Sequence, residues 1–175
     1  MNKTIFYYAL AGAVFGILFF LGPLVLFPEK YMNPENYGSG EVIGYSIMII
    51  SMLPVYFGTR AYRRHHADNL SFGKALQIAF LITLTTSAIF YLGNVLVYEV
   101  LAPNFLAEFG ENYKEHLLSN AKSEEQRAQM AASFEAEAGI LENSYLYALV
   151  MAGTVFFIGL ILSLISALAL RTKKS

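Results

Sequence analysis

Four stretches without a single charged side chain constrain this 175-residue chain more than anything else in it. They run from Thr4 to Phe27, Val42 to Thr59, Ala75 to Tyr98 and Asn143 to Leu170, and are 24, 18, 24 and 28 residues long. A bilayer core takes about 20 residues of helix at about 1.5 Å per residue. Hydrocarbon offers the backbone no hydrogen-bond partners, so spans this long and apolar are expected as helices, not as strands, which need only about 10 alternating residues. The predicted fold class is therefore all-α: an integral membrane four-helix bundle, one membrane domain over 1–175, with transmembrane helices at 5–27, 42–60, 73–99 and 144–170. Composition agrees, because 56% apolar residues against 14% charged is more than one soluble core of this length can bury.

The first run also has to be weighed as a signal peptide, since Lys3 precedes it. Signal h-regions span about 7 to 15 residues and end at a small-x-small site. This run is longer and closes on Leu24-Val25-Leu26-Phe27-Pro28, so we read it as an uncleaved first helix.

Orientation follows from the basic residues, which are retained on the cytoplasmic side. Lys3, Arg60, Arg63, Arg64, Lys74, Arg171, Lys173 and Lys174 share one side with Asp68 alone opposing, a balance of +7, while the other side sums to −8. Both termini are expected on the cytoplasmic side. Tyr7, Tyr8, Tyr56 and Tyr62 would mark the inner interface, and Tyr45, Tyr98, Tyr145 and Tyr147 the outer one. The whole-chain charge of −1 gives no basic surface for nucleic acid. The absence of Cys excludes disulfides, thiolate metal sites and cysteine nucleophiles.

Residues 28–40 carry Pro28, Pro34, Gly38 and Gly40 and read as a connector. The short inner loop Arg60 to Ser71 reads as basic, with a turn at Asp68-Asn69 and Ser71 capping the third helix. The stretch 103–142 is too long for an unstructured link and reads as a periplasmic insert. After Pro103, Asn104 can cap a helix whose apolar residues are Phe105, Phe109, Tyr113 and Leu117. Ser119-Asn120 breaks it, and Ser123 with Gln126 has capping-box spacing for a second helix, with Met130, Phe134, Ala138 and Leu141 along one face. An antiparallel, extramembrane helical hairpin between the third and fourth spans is the preferred reading.

Within lipid, helices associate through small residues and a few interhelical hydrogen bonds. Gly12 and Gly16, Gly40 and Gly44, and Ala148, Ala152, Gly159, Ser163 and Ala167 supply small faces, with Ala79, Thr83 and Ser87 on the third helix. A small face on every helix favours packing within the chain over homodimerisation. Pro54 and Gly22-Pro23 are expected to kink or end their helices.

Candidate chemistry is sparse. Asn94 and Glu99 are the polar residues best placed for transport, lining an outward vestibule for a cation or proton, but they lie about 140° apart around a helix. The plainer account has Asn94 bonding a neighbouring helix and Glu99 reaching the headgroups. His65-His66 offer at most two metal ligands, with His116 on the opposite side, so a basic loop against anionic lipid is the better account. Thr83, Thr85, Thr86 and Ser87 form a hydroxyl patch, best read as bonding to the preceding turn. Ser46, Ser51, Ser163 and Ser166 have no base at their depth. No catalytic residue, metal site or cofactor is assigned.

The stretch from Tyr62 to Phe105, with Leu70-Ser71-Phe72-Gly73-Lys74-Ala75 entering a helix and Pro103-Asn104-Phe105 leaving it, resembles the bacterial membrane proteins grouped as domain of unknown function (DUF) 4199. So does the close, Phe157-Ile158-Gly159-Leu160-Ile161-Leu162-Ser163-Leu164-Ile165-Ser166-Ala167-Leu168, ahead of a basic tail. The resemblance implies a four-helix inner-membrane protein with a helical segment between the third and fourth spans, and it carries over no functional residues. The expected function is that of a non-catalytic accessory or scaffold protein binding a membrane partner. The alternative is an ion or small-solute carrier acting as a homo-oligomer. The expected surroundings are the lipid bilayer, with no nucleic acid.

Overall fold

The computed structural model describes residues 3–66 and 70–172. Helix dominates them, and no strand occurs among the described residues. Helix α1 (Lys3–Gly16) passes through a π turn (Ile17–Leu21) into α2 (Gly22–Leu26); α3 (Pro28–Met32) and a 3₁₀ turn (Pro34–Asn36) lead into α4 (Tyr37–His66). Then come α5 (Phe72–Leu96), a second π turn (Val97–Leu101), α6 (Phe105–Ser119), α7 (Glu124–Leu141) and α8 (Ser144–Leu170). Four helical segments, Lys3–Leu26, Pro34–His65, Phe72–Leu101 and Ser144–Leu170, are long and apolar enough to cross a membrane. Their outward faces carry exposed Leu18, Phe57, Phe157, Ile161 and Leu168, a surface suited to lipid and not to water.

Helix α1 packs against α4 and α5, and α8 packs against α5 and α4, with the longest contact between α5 and α8. The core between them holds Ala9, Met52, Val55, Ile78, Ala79, Ile82 and Val155. At the end carrying the termini, the Leu70 N–H donates to Thr172 Oγ1 at 2.9 Å and the Thr172 N–H donates to the Leu70 carbonyl at 2.8 Å. That pair of bonds ties the start of α5 to the end of α8.

Several local expectations change. Residues 28–40 are not an irregular connector: they are helical apart from Asn33, and Gly38 and Gly40 lie within α4. No glycine among the described residues has positive φ, so none here is needed for a turn. Helix α4 outruns the uncharged run at both ends, continuing through Glu41, Arg60, Arg63 and Arg64, because charge disfavours hydrocarbon without disfavouring a helix. It also continues through Pro54. Gly22-Pro23 does not end the first span. Proline has no N–H, and its ring would strike the carbonyl four residues back; the preceding turn widens instead, with the Gly22 N–H reaching Ile17 O. The second π turn has the same place relative to Pro103, where the Ala102 N–H bonds Val97 O at 2.8 Å.

Caps divide likewise. Ser71 accepts from the Lys74 N–H at 3.3 Å and Ser123 from the Gln126 N–H at 3.1 Å. The Gln126 side chain accepts from the Lys122 N–H at 2.8 Å, one residue beyond the Ser123 N–H that the usual capping box would reach. Asn104 makes no side-chain cap: it already has helical φ and ψ, whereas a capping residue is extended. Asn143 caps α8 instead, accepting from Leu146 N–H at 3.0 Å. The turn expected at Asp68-Asn69 lies outside the described residues.

Candidate functional site

Most of the expected small residues lie at tight interhelical contacts, but at Gly40 an added Cβ would meet nothing within 4 Å. A Cβ added to Gly12 would stand 2.5 Å from the Ser51 carbonyl oxygen and 3.3 Å from Thr86 Cγ2. At Gly16 it would meet the Phe90 ring at 3.3 Å, and at Gly44 the Phe20 ring at 3.2 Å. At Gly159 it would collide with Thr83 Cγ2 and stand 2.9 Å from both Met52 Sδ and Thr83 Oγ1. Ser163 and Ala167 are fully buried on the same helix. Two close approaches were not anticipated: at Gly58 a Cβ would lie 2.6 Å from Ile82, and at Gly93 2.7 Å from Ile17. Neither belongs to a small-residue repeat, so the sequence signal was only that a glycine sits inside each span.

Hydroxyls of α5 reach across these contacts. Thr83 Oγ1 donates to Gly159 O at 3.2 Å and lies 3.0 Å from Ser163 Oγ, while Thr86 Oγ1 donates to Ala9 O at 3.1 Å. Such bonds form readily in a medium with no competing water. The patch expected to bond within its own helix is thus, at Thr83 and Thr86, bonded to α8 and α1.

Asn94 and Glu99 are not brought together. Asn94 is fully buried, and its Nδ2 donates to Phe90 O at 2.8 Å within α5, so it does not bridge through that group to another helix. Glu99 is exposed and accepts a hydrogen bond from Ser144 Oγ, joining the end of the third span to the start of the fourth. His65 is exposed, and no group of metal-ligating side chains occurs among the described residues.

At the end opposite the termini an aromatic ladder anchors the insert. Phe105 stacks on Phe109 at 5.9 Å and Phe109 on Tyr113 at 5.9 Å, their i, i+4 spacing placing them along one face of α6. Tyr98 and Tyr31 flank Phe105 at 6.2 and 6.1 Å, and Tyr98 meets Tyr147 at 5.3 Å. Tyr37 lies edge-on to Phe109, Tyr113 and His116. Burial pushes the Tyr31 phenol above its ordinary pKa. The segment 28–37 therefore clasps α6. Helix α7 packs on α6 through Leu141 beside Gly110 and through Lys114, which lies over Phe134 at 5.6 Å and 3.7 Å from Glu135. A polar cleft between them is lined by Glu111, Lys114, Glu115, Lys122 and Arg127.

No curated protein and no solved structure matches the chain. The family described as Protein of unknown function (DUF4199) matches residues 7–172, almost the whole length, with the interhelical contacts, the aromatic ladder and the insert all inside it, and the chain belongs to that family.

Proposed function

We propose that the protein is a non-catalytic accessory or scaffold protein of a bacterial inner membrane. In this reading the four spans form a bundle, both termini are cytoplasmic, and α6 and α7 form a periplasmic hairpin that binds a membrane partner. The observation that carries it is α7. Over 18 residues, Glu124–Leu141, it has no buried residue, whereas α6 buries Phe105, Leu106 and Gly110. A helix of that length is marginal in water unless one face is covered. Its contact with α6 half-buries Met130, Phe134, Ala138 and Leu141 and leaves the rest of its surface for another molecule. The hydroxyls of Thr83 and Thr86, committed to neighbouring helices, support a structural role for the spans.

A photo-crosslinking residue at Ala132 tests the reading, with the lipid-facing Phe157 as control. One protein species enriched at 132 and missing at 157 is the expected result. Adducts only with lipid, or identical adducts at both positions, sink it. The carrier reading, as a homo-oligomer, rests on Asn94, whose buried Oδ1 has no hydrogen-bond partner. Proton or cation flux in proteoliposomes that falls on Glu99→Gln or Asn94→Leu would favour it.

A further inference from the structure

The seam between α5 and α8 has chemistry that the scaffold reading does not use. Its antiparallel register is set at three levels: Thr83 bonds Gly159 and Ser163, Tyr98 crosses Tyr147, and Glu99 accepts from Ser144. Interpolating between these anchors at about 1.5 Å per residue places Asn94 between Ala148 and Ala152, and Ser87 between Val155 and Gly159. All four α8 residues are buried. At about 100° per residue, Ser87 and Asn94 also project within about 40° of Thr83, the residue that reaches α8.

Two buried oxygens in this compartment have no hydrogen-bond partner, Ser87 Oγ and Asn94 Oδ1. Ser87 is 5% exposed and Asn94 0%. The bond from Asn94 Nδ2 to Phe90 O orients the amide, because turning it over would set two carbonyl oxygens against each other. Oδ1 can be satisfied only by a donor, and the alanines opposite have none to give. Ser87 is informative for a different reason. A helical serine usually bonds the carbonyl four residues back, as Ser163 does to Gly159 at 2.7 Å, and Ser87 does not. Leaving such groups bare is costlier in hydrocarbon than at a surface, and the donor that fits between small side chains is water. Ser166 Oγ is also unpartnered but lies beyond the Thr83–Ser163 pair, which separates it from this compartment.

We propose that the outer half of the α5–α8 seam, between the Thr83–Ser163 pair and the Tyr98–Tyr147 pair, is a binding site for water. Water donates to Asn94 Oδ1 and bonds Ser87 Oγ. Seven residues of helix separate the two side chains by about 10 Å, so one water cannot serve both and each side chain takes its own. The inference is independent of any protein partner.

Water-edited solid-state NMR of the full chain in lipid bilayers tests it without altering the protein. Gly93-Asn94 is the sole Gly-Asn pair in the sequence, so carbonyl-labelled glycine with nitrogen-labelled asparagine picks out the Asn94 backbone nitrogen. Polarisation from water is expected to reach that nitrogen at least about fivefold faster than the methyls of Ile78 and Ile82, as a water bound at the Asn94 side chain lies within a few ångströms of it. Build-up at Asn94 as slow as at those two isoleucines overturns the proposal.

Discussion

Replacing Gly159 with Ala tests whether the contact between α5 and α8 holds the spans together. The new Cβ would collide with Thr83 Cγ2 and stand 2.9 Å from Thr83 Oγ1 and Met52 Sδ. Met52 can yield, since an unbranched thioether has other rotamers. Thr83 cannot: turning its β-branched side chain breaks the bonds to Gly159 O at 3.2 Å and Ser163 at 3.0 Å. Overpacking costs about 1–3 kcal/mol, and interhelical bonds in lipid contribute about 0.6 kcal/mol each. Against this, Ala gains about 1 kcal/mol over Gly in helix propensity. The net expectation is a loss of about 1–3 kcal/mol. Gly153→Ala on the same helix is the control, because a Cβ there meets nothing within 4 Å; it should be neutral or stabilising. Reversible unfolding by denaturing detergent in mixed micelles reads both. Thr83→Ala in the Gly159→Ala background removes the colliding atoms, so the double variant should lose at least about 1 kcal/mol less than the two single losses combined. Equal stability of the Gly159→Ala and Gly153→Ala proteins, or strict additivity of the pair, refutes the reasoning.

Gly12→Leu should be worse than Gly159→Ala, because the obstacle is the Ser51 carbonyl, which no side-chain rotation moves; loss of folded protein in the same detergent titration is the readout. Ser123→Ala removes the α7 cap and should cost about 1 kcal/mol, seen as faster amide exchange over residues 124–128 with α8 unchanged. Phe109→Ala opens the aromatic ladder between Phe105, Tyr113 and Tyr37, and protease should then cut within α6 while the spans stay intact. Under the scaffold reading, Glu99→Gln leaves proteoliposome proton flux unchanged, and a reporter fused after Ser175 is active only on the cytoplasmic side.

The four long apolar helices were legible because lipid imposes one rule on a crossing segment: no charge and no unpaired backbone over about 20 positions. The same rule hid where the helices end. Charge places the lipid boundary at Glu41 and Arg60, but the backbone of α4 has no reason to unwind there and continues to His66. The connector at 28–40 was misread for a related cause. Proline and glycine signal turns in water, yet Pro28 and Pro34 each open a helical turn, a position where a missing N–H costs nothing. Gly58 and Gly93 have no sequence period because the obstacles at those positions, Ile82 and Ile17, lie on other helices. The aromatic residues of α6 were visible as a face through their i, i+4 spacing. That they meet Tyr31 and Tyr37 was not, since nothing local records which element lies above them.

Asn94 shows why function is harder to read than fold in this chain. From sequence its two accounts, helix glue or polar pathway, differ only in where the carboxamide bonds. The structure gives Nδ2 to Phe90 within the same helix and leaves Oδ1 unpartnered, which departs from both. Thr83 and Thr86, drawn from the same polar face, reach α8 and α1 and supply the bridging that Asn94 was expected to supply. Asn94 is then not needed for cohesion through a protein partner, and hydrocarbon should disfavour an unused carboxamide in a fully buried position. Asn94→Leu separates the outcomes. A dry seam gains stability on losing the unpaired oxygen, whereas a hydrated seam must expel water whose other hydrogen bonds then go unmade, and loses it. The sign of that one change in the detergent titration decides whether the polar face of α5 is entirely mortar or partly a site.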